Sequence, residues 1–220
     1  MYVLHYWPDS ASLIVRLVLE ELGVPFQARR IDRAAGELDS PAYRALHPLG
    51  KIPVLETPDG PMFETAAILL YLSERHAALA PLPGTPDRAA FLKWLCFTSF
   101  NLHATLLEVF YPDRVAGPQA APQVLAHAGP RVTGFLQVLE RMVAHEAPAF
   151  LSTAPSVLGY YLAVQMRWLA QLPPGSPGHV ASTDYPALHA VLAALESRPA
   201  AQRAARAEAL GPTLFTLAET

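Results

Sequence analysis

Two short segments of this sequence place charged, hydroxyl and free backbone groups at spacings that suit a small zwitterionic peptide. In the first, residues 46–55, Pro53 stands one residue into an apolar run. Because proline cannot donate to a β-ladder, it predicts an edge strand that opens at this point. If the bond between Ile52 and Pro53 is cis, the amide and carbonyl of Ile52 face outward and can pair with an extended peptide.

The second segment, residues 56–72, predicts a β-hairpin followed by a helix that begins with a carboxylate and a hydroxyl. The pair Asp59 and Gly60 is a strong hairpin signal, and the apolar period becomes helical at Glu64 and Thr65. The Thr65 hydroxyl and the free amides of the first helical turn suit a carboxylate, and Glu64 can accept the adjacent ammonium. An α-amino acid head group carries that pair of charges.

Composition limits the possible partners. The 220 residues are 52% hydrophobic and 16% charged, which is enough to bury a core in one large domain or two small ones. A net charge of −3 predicts no binding to nucleic acid or to an anionic membrane. With no basic-then-apolar leader, and with prolines interrupting the longest uncharged window, we expect a cytoplasmic protein that does not span a membrane. The single cysteine, Cys96, excludes an internal disulfide, and we predict no metal site.

Hydrophobic patterning predicts an α/β domain over residues 1–76. Strand candidates at residues 2–6 and 24–31 flank a helix over residues 12–22, which Gly23 should end. A short helix at residues 42–46, the hairpin and a helix to about residue 76 complete the domain. The order is βαβ followed by ββα, with the first two strands parallel, which gives a mixed four-stranded sheet.

The rest of the chain predicts a linker and an all-α domain. Residues 77–86 are rich in alanine and proline, which favours a linker. From residue 87 to 220 no convincing strand is present. Four segments have helical apolar spacing, namely residues 88–110, 122–144, 156–170 and 185–195.

Motifs in a fixed order resemble the glutathione transferase superfamily over essentially the whole chain. Residues 47–55 are similar to its Asn-Pro-x-Gly-Lys-x-Pro signature, and residues 64–72 resemble its Glu-Ser-x-Ala-Ile-x-x-Tyr-Leu helix start. Residues 150–162 are similar to the Ser-Val-Ala-Asp segment that opens a buried helix, with Gly159 in place of the aspartate, so Ser156 is predicted to cap that helix alone. Residues 185–200 resemble the C-terminal helix of bacterial members.

The resemblance implies a thioredoxin-like N-terminal domain that holds the co-substrate glutathione, and a helical domain that supplies most of the second-substrate pocket. Ile52, next to Pro53, would pair through its backbone with the cysteinyl part of glutathione. Lys51 would approach the glycyl carboxylate or a nearby backbone group, and Glu64 and Thr65 would hold the γ-glutamyl end. The family is typically dimeric, so the resemblance also implies a homodimer.

The residue that activates the thiol should lie in the turn at residues 8–13. A free thiol has a pKa of about 8.5, so a transferase must lower that pKa with donors or positive charge. The resemblance puts Asp9 at the serine position of the theta and zeta classes and Ala11 at the cysteine position of the beta class. Because an ionised Asp9 beside the sulfur would raise the thiol pKa, Asp9 is predicted to cap the helix and point away. Ser10 and Ser12 remain as hydroxyl donors, each with a competing capping role.

His103 is the third candidate catalytic residue. Residues 100–103 resemble the Leu-His segment that contributes a histidine to the site of the beta class. The lysine that follows in that class is Ala104 here, and a structural role for His103 stays open. Cys96 is predicted to be a packed thiol. Five aromatic residues at helical spacing are predicted either to line an apolar pocket for the second substrate or to belong to the core: Phe97, Phe100, Phe110, Tyr111 and Trp168.

These features predict a bacterial, beta-class-like glutathione transferase without the cysteine, which adds the glutathione thiolate to a small hydrophobic electrophile in detoxification. Two alternatives stay open. One is a specialised glutathione-dependent lyase, isomerase or dehalogenase; the other is a non-catalytic glutathione-binding or hydrophobic-ligand-binding protein, which Asp9 and Ala11 favour. A thiol-disulfide reductase is disfavoured by the single, badly placed cysteine.

Overall fold

A mixed four-stranded sheet forms the N-terminal domain of the computed structural model, which describes residues 1–216. The strands run in the order β2-β1-β3-β4; β1 is parallel to β2 and antiparallel to β3, and β3 is antiparallel to β4. The elements of this domain are β1 (Tyr2–Tyr6), α1 (Ala11–Leu22), β2 (Phe26–Arg30), α2 (Pro41–Leu46), β3 (Val54–Thr57), β4 (Gly60–Met62) and α3 (Thr65–Arg75). The predicted thioredoxin-like α/β fold is confirmed.

Strand β3 is an interior strand, so the prediction of an edge strand was wrong. Leu55 of β3 lies opposite Leu4 of β1 on one side and Met62 of β4 on the other. Pro53 precedes the strand, and the first paired residue is Val54, so the missing N–H of proline removes no bond from the ladder. The outer strands are β2 and β4.

Helix α1 begins after Ser10, and the prediction that Asp9 is its N-cap was wrong. The Ser10 hydroxyl accepts the Ser12 N–H at 3.4 Å. Asp9 has a backbone φ of 51°, in the left-handed region, and its carboxylate accepts hydrogen bonds from Arg167 of the second domain. Gly23 ends α1 with a φ of 64°, as the sequence predicts.

The described residues after Arg88 contain no β-strand and form a helical domain. Helices α4 and α5 are joined end to end by a π-helical segment at Thr98–His103. The helices are α4 (Arg88–Phe97), α5 (Ala104–Phe110), α6 (Pro112–Ala116), α7 (Ala121–Glu146), α8 (Val157–Ala170), α9 (Pro186–Glu196) and α10 (Pro199–Glu208). The last four residues of the predicted second domain, 217–220, lie outside the described part of the chain.

Two helices of this domain, α6 and α10, were not predicted separately. Helix α10 buries only alanines among its apolar residues, which gives a weak hydrophobic pattern, and α6 is five residues long.

Cys96 is exposed, and its prediction as a packed thiol was wrong, because the buried side of α4 consists of Phe91, Trp94 and Leu95. Across residues 1–216, none of the helices combines the length and apolarity that crossing a membrane requires.

Residues 76–87, between α3 and α4, contain neither helix nor strand. The Leu79 carbonyl accepts the Val157 N–H at 2.9 Å, which ties this segment to the start of α8. The predicted linker at residues 77–86 falls within it, and the domain limits stay a prediction.

The two domains are joined by buried charges around the start of α1, which packs against α8 and α10. The Asp9 carboxylate accepts two hydrogen bonds from Arg167 of α8, each at 3.0 Å. In α10, Glu208 accepts the Asp9 backbone N–H at 2.9 Å and the Arg16 Nε–H at 2.7 Å. The side chains of Arg16, Arg167 and Glu208 are 5%, 3% and 0% exposed, so this network is desolvated.

The start of α8 is capped by Ser156 alone, as predicted. Its hydroxyl accepts the Gly159 N–H at 2.9 Å and donates to the Phe150 carbonyl at 2.6 Å. A Cβ at Gly159 would lie 3.1 Å from Leu195, so glycine allows α9 to approach α8 closely. The family's aspartate is therefore replaced by close packing between two helices.

The first prediction concerns the Asp9 carboxylate. Replacing Asp9 by alanine leaves the buried Arg167 guanidinium without its counter-charge, and we expect the free energy of unfolding to fall by about 3 kcal/mol. Asp39→Ala is the matched control, because the Asp39 side chain is 78% exposed and its pair with Arg44 contributes at most about 1 kcal/mol. Urea denaturation measures both, and equal losses in the two variants would contradict the buried network.

The second prediction concerns the Ser156 cap. Ser156→Ala removes an acceptor for the Gly159 N–H at a buried helix start, so we expect a loss of about 1–2 kcal/mol in the free energy of unfolding. Ser197→Ala is the control, since the exposed Ser197 hydroxyl only bonds the Ala194 carbonyl at the end of α9. Thermal or urea denaturation should separate the two variants; an unchanged S156A protein would mean that the cap is dispensable.

Candidate functional site

A cleft of about 1080 Å³ lies between the two domains. The N-terminal domain contributes the turn before α1, the loop before β3 and the start of α3, and the helical domain contributes the π-helical segment, α5, α6 and α8. The cleft brings together seven of the eight candidate site residues predicted from the sequence, namely Ser10, Lys51, Ile52, Pro53, Glu64, Thr65 and His103. Ser12 is the exception, because it is fully buried and does not line the cleft.

The loop before β3 presents free backbone groups to the cleft. The Ile52–Pro53 bond is cis. Among residues 1–216, neither the amide nor the carbonyl of Ile52 has a hydrogen-bond partner. The loop is held from below by the buried Tyr43, whose hydroxyl donates to the Lys51 carbonyl at 2.9 Å. The Lys51 side chain is exposed at the cleft. This arrangement leaves one amide, one carbonyl and one ammonium available to an extended peptide.

Gly50 makes the sharp turn of this loop possible. It has a φ of 58°, and a Cβ at this position would lie 2.4 Å from the Leu38 carbonyl oxygen. Burial is the main cause that lowers the pKa of the neighbouring His47, so its imidazole is neutral at physiological pH. His47 packs against Phe63 with ring centroids 4.6 Å apart, which fixes the loop against the segment that leads into α3.

The start of α3 is an uncapped helix N-terminus that faces the cleft. Glu64 occupies the N-cap position with a φ of 69°, and no side chain caps the helix. The first turn of α3 therefore has free N–H groups, with the Thr65 hydroxyl beside them. Among the described residues the Glu64 carboxylate has no hydrogen bond or ion pair. A carboxylate suits these N–H groups, and an ammonium suits Glu64.

The start of α1 also faces the cleft, but its hydroxyl groups are occupied. Ser10 donates to the Trp7 carbonyl at 2.8 Å and lies 2.9 Å from the Ser12 hydroxyl. Ser12 in turn donates to the same carbonyl at 3.1 Å and accepts the Trp7 N–H. The Ala11 N–H has no partner among residues 1–216, so it is an available donor at the positive end of the helix.

Asp9 borders the cleft, and its carboxylate is bound by α8 and by Gln171, the residue that follows this helix. Besides Arg167, the Trp168 Nε1–H and the Gln171 Nε2–H each donate to it at 3.1 Å. Four N–H donors, two of them from the Arg167 guanidinium, compensate the negative charge. Asp9 therefore acts as a structural acceptor between the domains.

His103 faces the N-terminal domain across the cleft, from the end of the π-helical segment. Its Nδ1 lies 2.7 Å from the hydroxyl of the buried Tyr161, and its ring packs against Trp168 with centroids 5.9 Å apart. Burial lowers the pKa of His103 to about 4, so the imidazole is neutral at pH 7. A neutral imidazole of this kind can donate one hydrogen bond and accept another.

The helical wall of the cleft is apolar and partly exposed. Phe100, Leu107, Tyr111 and Val115 all line the cleft with exposed side chains, and Phe100 is 74% exposed. Of the five aromatic residues predicted as pocket or core, Phe100, Phe110, Tyr111 and Trp168 line the cleft. Phe97 instead packs against Trp94 and Phe135.

Sequence reasoning missed several cleft residues. Trp7, Arg33, Arg114, Tyr161 and Gln171 border the cleft, yet none belongs to a short motif with a chemical signature. Tyr161 lies within residues 150–162, whose resemblance to the family concerns the start of a buried helix and not a site residue. These residues could be identified only from the tertiary structure, because they come from four separate parts of the chain: the turn before α1, the segment after β2, α6, and α8 with the residue that follows it.

Comparison with known proteins agrees with this geometry. Residues 1–74 match the family described as glutathione S-transferase, N-terminal domain. Glutathione S-transferase F9 of Arabidopsis thaliana is 30% identical over 175 residues, which cover 76% of this chain and 77% of that protein. The chain also matches elongation factor 1-gamma proteins of plants, but it spans only 18–30% of the length of the first three of these.

Solved structures resemble the chain along almost its whole length. A sphingomonad glutathione S-transferase complexed with glutathione is 29% identical with a TM-score of 0.77, over 95% of this chain and 100% of that one. A bacterial beta-class enzyme from Sphingomonas chungbukensis is 28% identical with a TM-score of 0.76 over the same shares. Together with the plant relative, these matches show that the chain belongs to the glutathione S-transferase superfamily.

Proposed function

We propose that this protein is a glutathione transferase that adds the glutathione thiolate to a small hydrophobic electrophile. One observation carries the proposal: the uncapped start of α3 faces the cleft, with free N–H groups beside the unpaired Glu64 carboxylate. These groups complement the carboxylate and ammonium of the γ-glutamyl end of glutathione. That glutathione is bound in the related sphingomonad structure supports the same choice of ligand.

The remaining groups of the N-terminal domain follow the length of the tripeptide. The free amide and carbonyl of Ile52, beside Pro53, would pair with the cysteinyl residue as an added strand. Lys51 would then meet the glycyl carboxylate at the open end of the cleft. Thr65 would contribute its hydroxyl to the γ-glutamyl carboxylate. In this pose the sulfur points toward the start of α1.

At that position the thiol pKa would be lowered by donors and by the helix dipole. The Ala11 N–H is free, Ser10 borders the cleft, and His103 faces the same space from the opposite wall. A thiolate is stabilised by such groups more than a thiol is, because it carries the charge that they complement. The Asp9 carboxylate would oppose this effect little, since four donors compensate its charge.

The second substrate would lie on the apolar wall formed by Phe100, Leu107, Tyr111 and Val115. In conjugation with a chloronitrobenzene, the sulfur–carbon bond forms and the carbon–chlorine bond breaks, so that chloride leaves with its electron pair. Much of the rate would come from holding the two reactants together, and the rest from the lowered thiol pKa. By analogy with its family, we also propose a cytoplasmic homodimer with the domain limits given above and a detoxifying role.

A second candidate is a non-catalytic protein that binds glutathione or a hydrophobic ligand. The specific observations in its favour are Asp9 and Ala11, which stand where the relevant classes have serine and cysteine. The matches to elongation factor 1-gamma proteins, whose name denotes no transferase, point the same way.

The third prediction tests the two candidates directly. If the protein is a transferase, glutathione bound to it should show thiolate absorbance with a pKa at least one unit below that in solution, which corresponds to about 1.4 kcal/mol of preferential thiolate stabilisation. It should also conjugate 1-chloro-2,4-dinitrobenzene. Glutathione binding with an unshifted pKa and no turnover would support the binding protein. The absence of glutathione binding would refute the transferase and would leave only a hydrophobic ligand for the second candidate.

An isosteric variant without the Glu64 charge tests where glutathione binds. Glu64→Gln removes the carboxylate that would bind the ammonium. Because a hydrogen bond to a charged group is then lost, we expect the dissociation constant of glutathione to rise at least 10-fold. Glu146→Gln is the matched control, since Glu146 is exposed at the end of α7, away from the cleft. Equal affinities for the two variants would place the ligand elsewhere.

The fourth prediction separates the two candidate serines. Ser10 borders the cleft and Ser12 is buried beneath it, so Ser10→Ala should raise the pKa of the bound thiol by about 0.5–1 unit, while Ser12→Ala should leave it unchanged. We expect Ser12→Ala instead to lower stability, because the Trp7 N–H then loses its acceptor. Thiolate titration together with urea denaturation distinguishes these effects, and unchanged pKa values in both variants would remove both serines from catalysis.

A further inference from the structure

We propose that Tyr161 is a positioning residue that fixes the tautomer of His103, so that the imidazole presents its Nε2–H to the cleft. The tautomer follows from contacts within the chain itself. What the Nε2–H does, namely donate to the glutathione sulfur, rests on the function proposed above. Tyr161 itself does not touch the reacting atoms and acts only through His103.

The contact between the two side chains is short and enclosed. The Tyr161 side chain is completely buried in α8, and its hydroxyl oxygen lies 2.7 Å from His103 Nδ1. The rings meet edge to face at 86°, with centroids 5.5 Å apart. Both elements are rigid at this point, because α8 is buried along nearly its whole length and packs against the π-helical segment.

The direction of this hydrogen bond follows from what each group can do. A buried hydroxyl hydrogen requires an acceptor, and His103 Nδ1 provides one at 2.7 Å. The Ser99 hydroxyl also lies beside the Tyr161 hydroxyl and acts on it as a hydrogen-bond donor, which leaves the Tyr161 hydrogen directed to Nδ1. Burial raises the pKa of Tyr161, which therefore keeps its proton at neutral pH. Tyr161 is thus the donor and Nδ1 the acceptor.

The second ring nitrogen must then carry the hydrogen. Burial lowers the pKa of His103 to about 4, so at pH 7 the ring is neutral and only one of its nitrogens is protonated. With Nδ1 occupied as an acceptor, that nitrogen is Nε2. Nε2 has no protein partner among the described residues, and the ring lines the cleft. A neutral N–H donor is therefore held toward the position proposed for the thiolate.

The neighbouring side chains keep this donor in place. Trp168 packs against the imidazole and is itself fixed by donating to Asp9, so the ring cannot turn toward α8 without displacing the indole. Loss of the tyrosine hydroxyl would leave the ring in place but free to exchange its proton between the two nitrogens. The two tautomers would then share the population, and the donor would be present for only part of the time.

The fifth prediction is that the tautomer can be read directly from ¹⁵N chemical shifts of histidine in the labelled, ligand-free protein at pH 7, with His103→Gln used to assign the signals. In the unmodified protein we expect His103 to show a protonated Nε2 and an unprotonated Nδ1. Tyr161→Phe, which keeps the ring and removes only the hydroxyl, should produce a mixture of tautomers. A protonated Nδ1 in the unmodified protein would overturn the proposal without any variant.

Tyr160→Phe is the matched control. Tyr160 is the adjacent residue of α8, is equally buried, and donates to Glu21 at 2.6 Å on the side away from His103. Removing its hydroxyl should affect stability and leave the His103 tautomer unchanged. If both variants shift the His103 signals alike, the effect is a general loosening of α8, and the specific role of Tyr161 is refuted.

A second readout connects the tautomer to the proposed chemistry. Tyr161→Phe should raise the pKa of the bound glutathione thiol by about half a unit, roughly a 3-fold lower ratio of thiolate to thiol, whereas Tyr160→Phe should not. A changed tautomer with an unchanged thiol pKa would overturn the role of Nε2–H as a donor to sulfur. If the unmodified protein does not bind glutathione, the proposed function fails, while the tautomer measurement still decides the role of Tyr161.

Discussion

The arrangement of this molecule depends on the buried charges that hold the start of α1 against the helical domain. Asp9 is bound by Arg167, and the Asp9 amide and Arg16 are bound by Glu208. The contacts join residues nearly 160 and 200 positions apart in the chain. Since the cleft lies between the two domains, these pairs fix the distance between its walls. A buried ion pair adds little net stability when its desolvation is counted, but it requires its own geometry, because any other leaves an uncompensated charge.

This network also gives a physical reason for the residue at position 9. The family resemblance puts a serine there in two classes, where a hydroxyl can reach the thiol. Here the carboxylate binds Arg167 and Trp168 of α8 and Gln171, the residue that follows this helix. The Asp9 carboxylate therefore connects the two domains. In the proposed function, stabilisation of the thiolate therefore depends on the free Ala11 N–H and on the imidazole of His103 on the far wall, with Ser10 beside them.

The starts of α1 and α3 both face the cleft but differ in their caps. Helix α8, which is internal, is capped by Ser156, and α1 is capped by Ser10. Helix α3 has no side-chain cap, and Glu64 before it holds a φ of 69°. A free helix start and a backbone in a sparsely populated region both cost stability, and such features persist where a ligand satisfies them. The π-helical segment between α4 and α5 is a similar local irregularity, and His103 stands at its end.

The sequence by itself determined the local elements and the motifs that a short window contains. The alternation of strands and helices, the end of α1 at Gly23 and the start of α3 at Thr65 follow from patterns a few residues long, and each is present in the structure. The candidate binding residues of the two motif segments, residues 47–55 and 64–72, also lie together at the cleft, because these segments are neighbours in one small domain.

The tertiary structure decided what depends on contacts between distant segments. The burial of β3 between two strands, the exchange of Asp9 for Ser10 as the cap of α1, and the exposure of Cys96 all reflect which surfaces pack together. No window of sequence relates Asp9 to Arg167, or His103 to Tyr161, since those side chains meet only after both domains have formed. The chemistry of the cleft is set by these pairs, because the partner of a titratable group fixes its charge, its tautomer and its direction.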